Sequence, residues 1–260
     1  MSSPVLYETA DAVATITLNR PDSLNALSSE LMTALRLHVE AAEHDSAVRA
    51  VLITGAGRGF SSGADLAEAA NRPSDRDSGQ TLRERYHPVI LALRRMQKPV
   101  ISAVNGVAAG AGMSLALSAD IVLAARSASF LQAFARIGLV PDAGSTWLLD
   151  RYAGSMRARA LAMLAERIAA EQAREFGLVW EVYDDEALMP AAHELALRMA
   201  AMPTRALGLI KQTLDAAAVN PLAQQLEIEA DNQVRAQKGE DFKEGVRAFL
   251  EKRQARFTGK

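Results

Sequence analysis

Asp142 is the residue of this sequence best placed for acid–base chemistry. It closes the run Gly138-Leu139-Val140-Pro141-Asp142 and is followed by Ala143-Gly144, between an apolar segment and a stretch that reads as helical from residue 146 on. A carboxylate there has two readings. It can cap the helix by accepting an N–H at its start, or it can serve as an acid/base, with Leu139, Val140 and Pro141 disfavouring its charged form and raising its pKa. The residues by themselves leave both open.

The second chemical feature is a pair of glycine-rich loops, Ser62-Gly63-Ala64-Asp65 and Gly110-Ala111-Gly112, each leading into a short helix. N–H groups at a helix start have no intrahelical acceptor and lie at the positive end of the helix dipole. Small side chains let a ligand oxygen approach them. One such loop alone reads as tight packing; two facing each other would make an oxyanion hole from main chain only.

Other chemistries find less support. Gly112-Met113-Ser114-Leu115-Ala116 falls one methyl short of a serine-hydrolase elbow, with Asp142 and His193 following in the right order. Yet seven residues separate that stretch from the strand ending at Val104, and His193 sits in a helical pattern rather than a loop. Gly55, Gly57 and Gly59 put Phe60 where a dinucleotide fingerprint needs its third glycine. No Gly-Lys-Ser/Thr ends either loop, so a phosphate-cradling P-loop is absent. His38, His44 and His87 pair with no carboxylates at ligand spacing, and no metal site is expected.

The elements that must position these residues alternate. Residues 12–18 alternate as a strand, and Ser28 caps a helix carrying Leu31, Leu35 and Val39. A strand over 48–54 enters a glycine-dense loop, 55–63, and a helix from about Ala64. Residues 71–80 read as a mobile polar surface loop, and residues 82–96 as a helix stopped by Lys98-Pro99. The grammar then repeats: strand 100–104, glycine turn 105–112, a short apolar helix to about Ser118, strand 121–124, and a short extended or irregular piece over 130–137. The remainder reads as helical, punctuated by Pro190, Pro203 and Pro221, with a last helix over 241–256. Alternation over the first two thirds predicts an α/β core. We read residues 1–200 as that core and 201–260 as a helical oligomerisation region.

Composition bounds the function. The chain of 260 residues has no cysteine, which excludes a disulfide framework, thiolate metal sites and a cysteine nucleophile. Its 29 basic and 31 acidic residues nearly cancel, so no global field favours nucleic acid or an anionic membrane. No stretch approaches the roughly 18 apolar residues of a membrane span, and no targeting pattern precedes Asp11. A cytoplasmic protein is expected.

Leu18-Asn19-Arg20-Pro21 with Asn25-Ala26-Leu27, Phe60-Ser61-Ser62-Gly63-Ala64-Asp65-Leu66, Lys98-Pro99-Val100 through Asn105-Gly106, Ala119-Asp120, Gly138-Leu139-Val140-Pro141, and Glu244-Gly245 with Phe249-Leu250-Glu251-Lys252-Arg253 together resemble the enoyl-CoA hydratase/isomerase (crotonase) superfamily. The resemblance spans essentially the whole chain. It implies a spiral of ββα units followed by helices that trimerise, as a homotrimer or a dimer of trimers. It also implies an acyl-CoA thioester substrate, no cofactor beyond the CoA of that substrate, and enolate stabilisation by the N–H groups of Ala64 and Ala111. Ser62, Ala64, Asp65 and Leu66 would line the CoA path, and Phe249 and Lys252 would reach CoA, commonly in a neighbouring subunit. The acyl-pocket wall would come from residues 67–86.

One departure stands out. The two glutamates of the family's hydratases fall on Ser114 and Phe134, neither able to transfer the proton that hydration needs. Gly138 to Asp142, with Gly110 to Leu117, resembles instead the superfamily's phenylacetate-degradation isomerases, in which an aspartate here is the acid/base. The implied reaction is conversion of ring-1,2-epoxyphenylacetyl-CoA to its oxepin, or of a 3-enoyl-CoA to a 2-enoyl-CoA. A hydratase-like enzyme of other acyl specificity and a non-catalytic acyl-CoA-binding oligomer remain as alternatives. A dehalogenase site would want a tryptophan and a histidine where Phe134 and Leu91 stand.

Overall fold

A computed structural model describes residues 3–70 and 77–260. The chain opens with a hairpin, β1 (Val5–Ala10) and β2 (Val13–Leu18), antiparallel across Asp11 and Ala12, both at positive φ as a tight primed turn requires. Only β2 was legible as a strand, because β1 is mostly exposed and carries no clean alternation. Helix α1 (Ser29–His44) starts where expected: the Ser28 hydroxyl accepts the Leu31 N–H, and Leu31, Leu35 and Val39 are buried along one side.

From there the chain builds two sheets at once. Strand β3 (Ala50–Gly55) joins β2 in a large sheet, then the chain crosses to β4 (Gly59–Ser61) in a small one before α2 (Leu66–Ala70). Helix α3 (Ser78–Thr81), a π-helical turn (Leu82–Tyr86) and α4 (His87–Arg95) run on without a break. The expected loop over 71–80 is thus helical in its last part, where the Asp77 side chain caps α3; residues 71–76 lie outside the described residues.

The crossing repeats. Strand β5 (Val100–Val104) lies in the large sheet and β6 (Val107–Ala109) in the small one, followed by α5 (Ala111–Leu117), buried at every residue. Strand β7 (Ile121–Ala125) and β8 (Ser129–Leu131) repeat the step and lead into a 3-10 turn (Ala133–Ile137). Helices α6 (Ser145–Ala153) and α7 (Ser155–Leu164), strand β9 (Arg167–Ala169), α8 (Ala170–Glu175) and strand β10 (Glu181–Tyr183) complete the sheets in the orders β1-β2-β3-β5-β7-β10 and β4-β6-β8-β9. This is an α/β spiral of ββα-type units, as the resemblance implied.

Helix α9 (Asp185–Ala200) packs across β3, β5, β7 and β10. Pro190, expected to break the helix, lies inside it. A proline costs a helix about 3 kcal/mol, but Leu188, Ala192, Ala196 and Ala200 form a buried stripe that holds α9 on the sheet. Helices α10 (Thr204–Ala217), α11 (Leu222–Gln237) and α12 (Glu240–Leu250) follow. The last helix stops at Leu250 rather than near Arg256 because Lys252, at φ +53°, ends it in a Schellman turn: its N–H bonds Phe249 O and that of Arg253 bonds Ala248 O. Among the described residues no helix is long and apolar enough to cross a membrane.

Candidate active site

The parallel pairing of β4 with β6 brings the two glycine loops side by side, Gly59 opposite Val107 and Ser61 opposite Ala108. A Cβ on Gly63, at φ +94°, would lie 2.7 Å from Ala109 O and 3.5 Å from Ala111 N. A Cβ on Gly112 would lie 2.5 Å from Ser61 O. The loops approach this closely only because both positions are glycine.

Each loop then offers an N–H. Leu27 donates to Gly63 O at 2.8 Å in a parallel bridge opposite Ala64, which turns the Ala64 N–H away from Leu27. Ala111 is the first residue of α5, after Gly110 at φ +50°, so its N–H has no intrahelical acceptor. Neither N–H meets an acceptor among the described residues.

The first loop is latched from behind by residues that sequence reasoning quoted only as motif. Asn25, itself at φ +56°, accepts from Arg20 N at 2.8 Å and donates to Gly59 O at 2.8 Å and Ala56 O at 3.0 Å. Arg20 donates to Ala26 O and to the Asp65 carboxylate. Local spacing carried no signal for this latch, because its partners Ala56, Gly59 and Asp65 lie 31 to 45 residues along the chain. Ser62 belongs to the same latch, donating its hydroxyl to Ser23 O and its N–H to Leu24 O. Asp65 accepts the Glu68 N–H, which with Arg20 holds its carboxyl below the usual range. Leu66 is exposed at the start of α2. Of the expected acyl-pocket wall, Tyr86 is buried and donates to Leu27 O at 3.2 Å; 71–76 fall outside the described residues.

Asp142 is not the cap of α6. Ala143 at φ +49° and Gly144 at φ +84° fold residues 142–145 into a primed turn closed by Ser145 N–H donating to Asp142 O at 2.9 Å. Helix α6 then starts at Ser145 with Gly144 at its N-cap and no side-chain cap. The main-chain oxygen takes the N–H that the carboxylate would have taken, and the carboxyl is left over: its Oδ1 is buried with no hydrogen-bond partner. Burial alone raises its pKa from 3.8 to about 6. Of the three neighbours expected to bury it, Pro141 is half-buried, but Leu139 and Val140 are 53% and 79% exposed. The turn is instead seated on α5, where the Ser114 hydroxyl donates to Asp142 O at 3.1 Å.

Ser114 and Phe134, the places where hydratase glutamates were expected, both border this site. Ser114 is fully buried one turn along α5 from Ala111, and the Phe134 ring would lie 3.7 Å from a Cβ on Gly110. The site therefore presents two main-chain donors, one raised carboxyl, a hydroxyl already engaged and a phenyl ring. That set can polarise a carbonyl and move a proton. Among the described residues no group of three or more His, Asp or Glu side chains is gathered to hold a metal.

Phe249 and Lys252 lie elsewhere. Phe249, 84% exposed on α12, lines a groove of about 440 Å³ with Pro203, Phe242, Val246, Leu250 and Phe257. None of the residues lining that groove comes from the two glycine loops or the Asp142 turn.

The enoyl-CoA hydratase/isomerase family model matches residues 8–260. The chain is 48% identical, over 98% of both chains, to the 1,2-epoxyphenylacetyl-CoA isomerase of Escherichia coli (strain K12). It is 36% identical, over 98% of both, to the trans-2-decenoyl-[acyl-carrier-protein] isomerase of Streptococcus mutans. Among solved structures, the enoyl-CoA hydratase from Bacillus anthracis superposes with a TM-score of 0.94 at 31% identity, over 99% of this chain and 100% of that one.

Proposed function

The chain belongs to the enoyl-CoA hydratase/isomerase family, and we propose that within it this protein is an acyl-CoA isomerase with Asp142 as its acid/base. The thioester carbonyl oxygen sits between the N–H groups of Ala64 and Ala111, which stabilise the charge that develops as an enolate forms. Asp142 removes a proton from the carbon next to the carbonyl of a 3-enoyl-CoA. It returns that proton two carbons further along, leaving the conjugated 2-enoyl-CoA. Atoms and electrons are conserved, so no metal or redox partner is called for, and CoA enters as part of the substrate.

The observation that carries this reading is the half-buried Asp142 carboxyl, whose buried Oδ1 has no hydrogen-bond partner and whose pKa burial raises to about 6. A base working near neutral pH wants that value. The likeness to the E. coli 1,2-epoxyphenylacetyl-CoA isomerase supports the ring-1,2-epoxide of phenylacetyl-CoA, rearranged to its oxepin, as the substrate. Hydration is disfavoured because Ser114 and Phe134 supply no second titratable group. The reading includes a homotrimer or dimer of trimers in which Phe249 and Lys252 reach the CoA of a neighbouring copy. Supporting it, α10 to α12 expose Ile210, Leu214, Leu222, Phe249 and Leu250.

The test follows 2-enoyl-CoA formation from a 3-enoyl-CoA with wild type and Asp142→Asn, with hydration of crotonyl-CoA as control. Isomerisation that disappears in the variant, with an acid limb near pH 6 in the wild type and negligible hydration, is the expected result. A folded protein that binds CoA esters equally with and without the carboxylate, and turns over neither substrate nor epoxide, would be the binding oligomer instead.

A further inference from the structure

Asp142 O accepts two hydrogen bonds, from Ser145 N–H at 2.9 Å and from the Ser114 hydroxyl at 3.1 Å. Both lone pairs of that oxygen are thereby used. The Ser114 hydroxyl has a second acceptor in reach, Gly110 O at 3.3 Å, and its N–H also donates to Gly110 O, at 3.1 Å. Ser114 thus touches the residue before Ala111 and the backbone of the candidate base at once. It is fully buried, on a helix buried along its whole length, so it has no solvent to exchange these bonds with.

We propose that Ser114 is the positioning residue of this site: its hydroxyl ties the main chain at Asp142 to the helix that begins at Ala111, and so sets the carboxyl against the oxyanion donors. This rests on the reading of Asp142 as acid/base. The choice of acceptor matters. A hydroxyl donating to the carboxylate would stabilise the charged form and lower its pKa. Donating to the peptide oxygen restrains the residue and leaves its basicity alone. It also stabilises the primed turn, in which Ala143, at φ +49°, occupies the left-handed region that L side chains rarely adopt. Without the tie, the turn can relax and the carboxyl can swing to the free N–H groups at the start of α6, as a helix cap. A shift of about 1 Å in a reacting group can lower a rate about 100-fold.

Ser114→Ala and Ser114→Thr are compared with wild type and Asp142→Asn in two measurements. Steady-state isomerisation gives kcat and KM; a 13C-aspartate NMR titration, with Asp142→Asn assigning the resonance, gives the Asp142 pKa without any substrate. Ser114→Ala is expected to lose about 10- to 100-fold in kcat with KM within about 2-fold, the mark of an interaction realised beyond substrate binding. Its Asp142 titration is expected to fall below about 6, and Ser114→Thr, which keeps the hydroxyl, to restore both. Wild-type kcat and an unmoved titration in Ser114→Ala overturn the proposal, whatever happens to its melting temperature. A wild type that isomerises nothing, but whose Asp142 titration falls in Ser114→Ala, sinks the isomerase reading and keeps the tie.

Discussion

At Asp142 the main chain does the holding, and the buried carboxyl oxygen, Oδ1, is left without a hydrogen bond that would stabilise its charge. That arrangement has a thermodynamic signature. The folded carboxyl keeps its proton up to about pH 6, whereas an ordinary one releases it near 3.8. Between those values the unfolded state is the more ionised and gains, so this group's penalty on folding grows as pH rises from about 4 to 6 and is constant above. Discounted for partial exposure, it amounts to roughly 2 kcal/mol at pH 7. Asp142→Asn is therefore expected to raise the melting temperature at pH 7.5 and to change it little at pH 4, while isomerisation is lost. Calorimetry at the two pH values checks this; equal shifts at both would show that the carboxyl is not strained by its burial. A gain in stability at the cost of activity is what a working site predicts.

At the scale of elements, the site depends on short strands that cross from one sheet to the other. Strands β4 and β6 are three residues each, yet their parallel pairing places Gly63 against Ala109 and Ala111. Helix α5 supplies both the Ala111 donor and the Ser114 tie. Because Ala111 is the first helical residue, a proline there leaves the helix hydrogen bonds intact while deleting the N–H. Ala111→Pro should keep its far-ultraviolet circular dichroism and lose about 100-fold or more in kcat/KM, the range reported by removal of one oxyanion donor. Wild-type kcat/KM in a folded Ala111→Pro protein would remove that N–H from the mechanism. Alanine-to-leucine changes would be uninformative about the donor, since they keep it.

For the whole molecule, the spiral core and the last helices differ in how they treat apolar residues. The core buries Phe60, Phe130, Ile16, Leu52 and Ile101 completely, whereas α10 to α12 bury few side chains and expose Phe242, Val246, Phe249 and Leu250 in a row bordering one groove. An exposed apolar patch of this kind is what the proposed assembly would cover. The chain tail is strapped to the same region: Asp241 accepts from Thr258 N and Gly259 N, and Arg49 donates to Phe257 O and Met202 O. We expect sedimentation of the wild type as trimers or larger, and of Val246→Asp/Phe249→Asp as smaller species with reduced acyl-CoA affinity. A wild-type monomer at micromolar concentration would contradict the assembly.

The amino-acid sequence by itself determined the alternation of strands and helices, the two glycine loops, the burial stripe of α1 and the Asp142 position, because each is written in local spacing or residue type. It also carried the family resemblance, through motifs whose structural work, as at Asn25 and Arg20, is to latch one loop. What it left open were features set by contacts between distant segments. The strands β1, β4, β6, β9 and β10 are short or exposed and exist through their partners, so no periodicity announces them. Pro190 reads as a break until the sheet beneath α9 outweighs it. That Asp142 is not the cap of α6 was likewise tertiary: the main-chain oxygen, held by Ser145 and Ser114 in a primed turn, takes the hydrogen bonds in place of the carboxyl. Leu139 and Val140, the apolar neighbours in sequence, are exposed, and the turn that carries Asp142 is held by a helix that begins thirty-one residues earlier, at Ala111. Sequence proximity could not supply that, because burial is a property of the folded surface rather than of adjacent side chains.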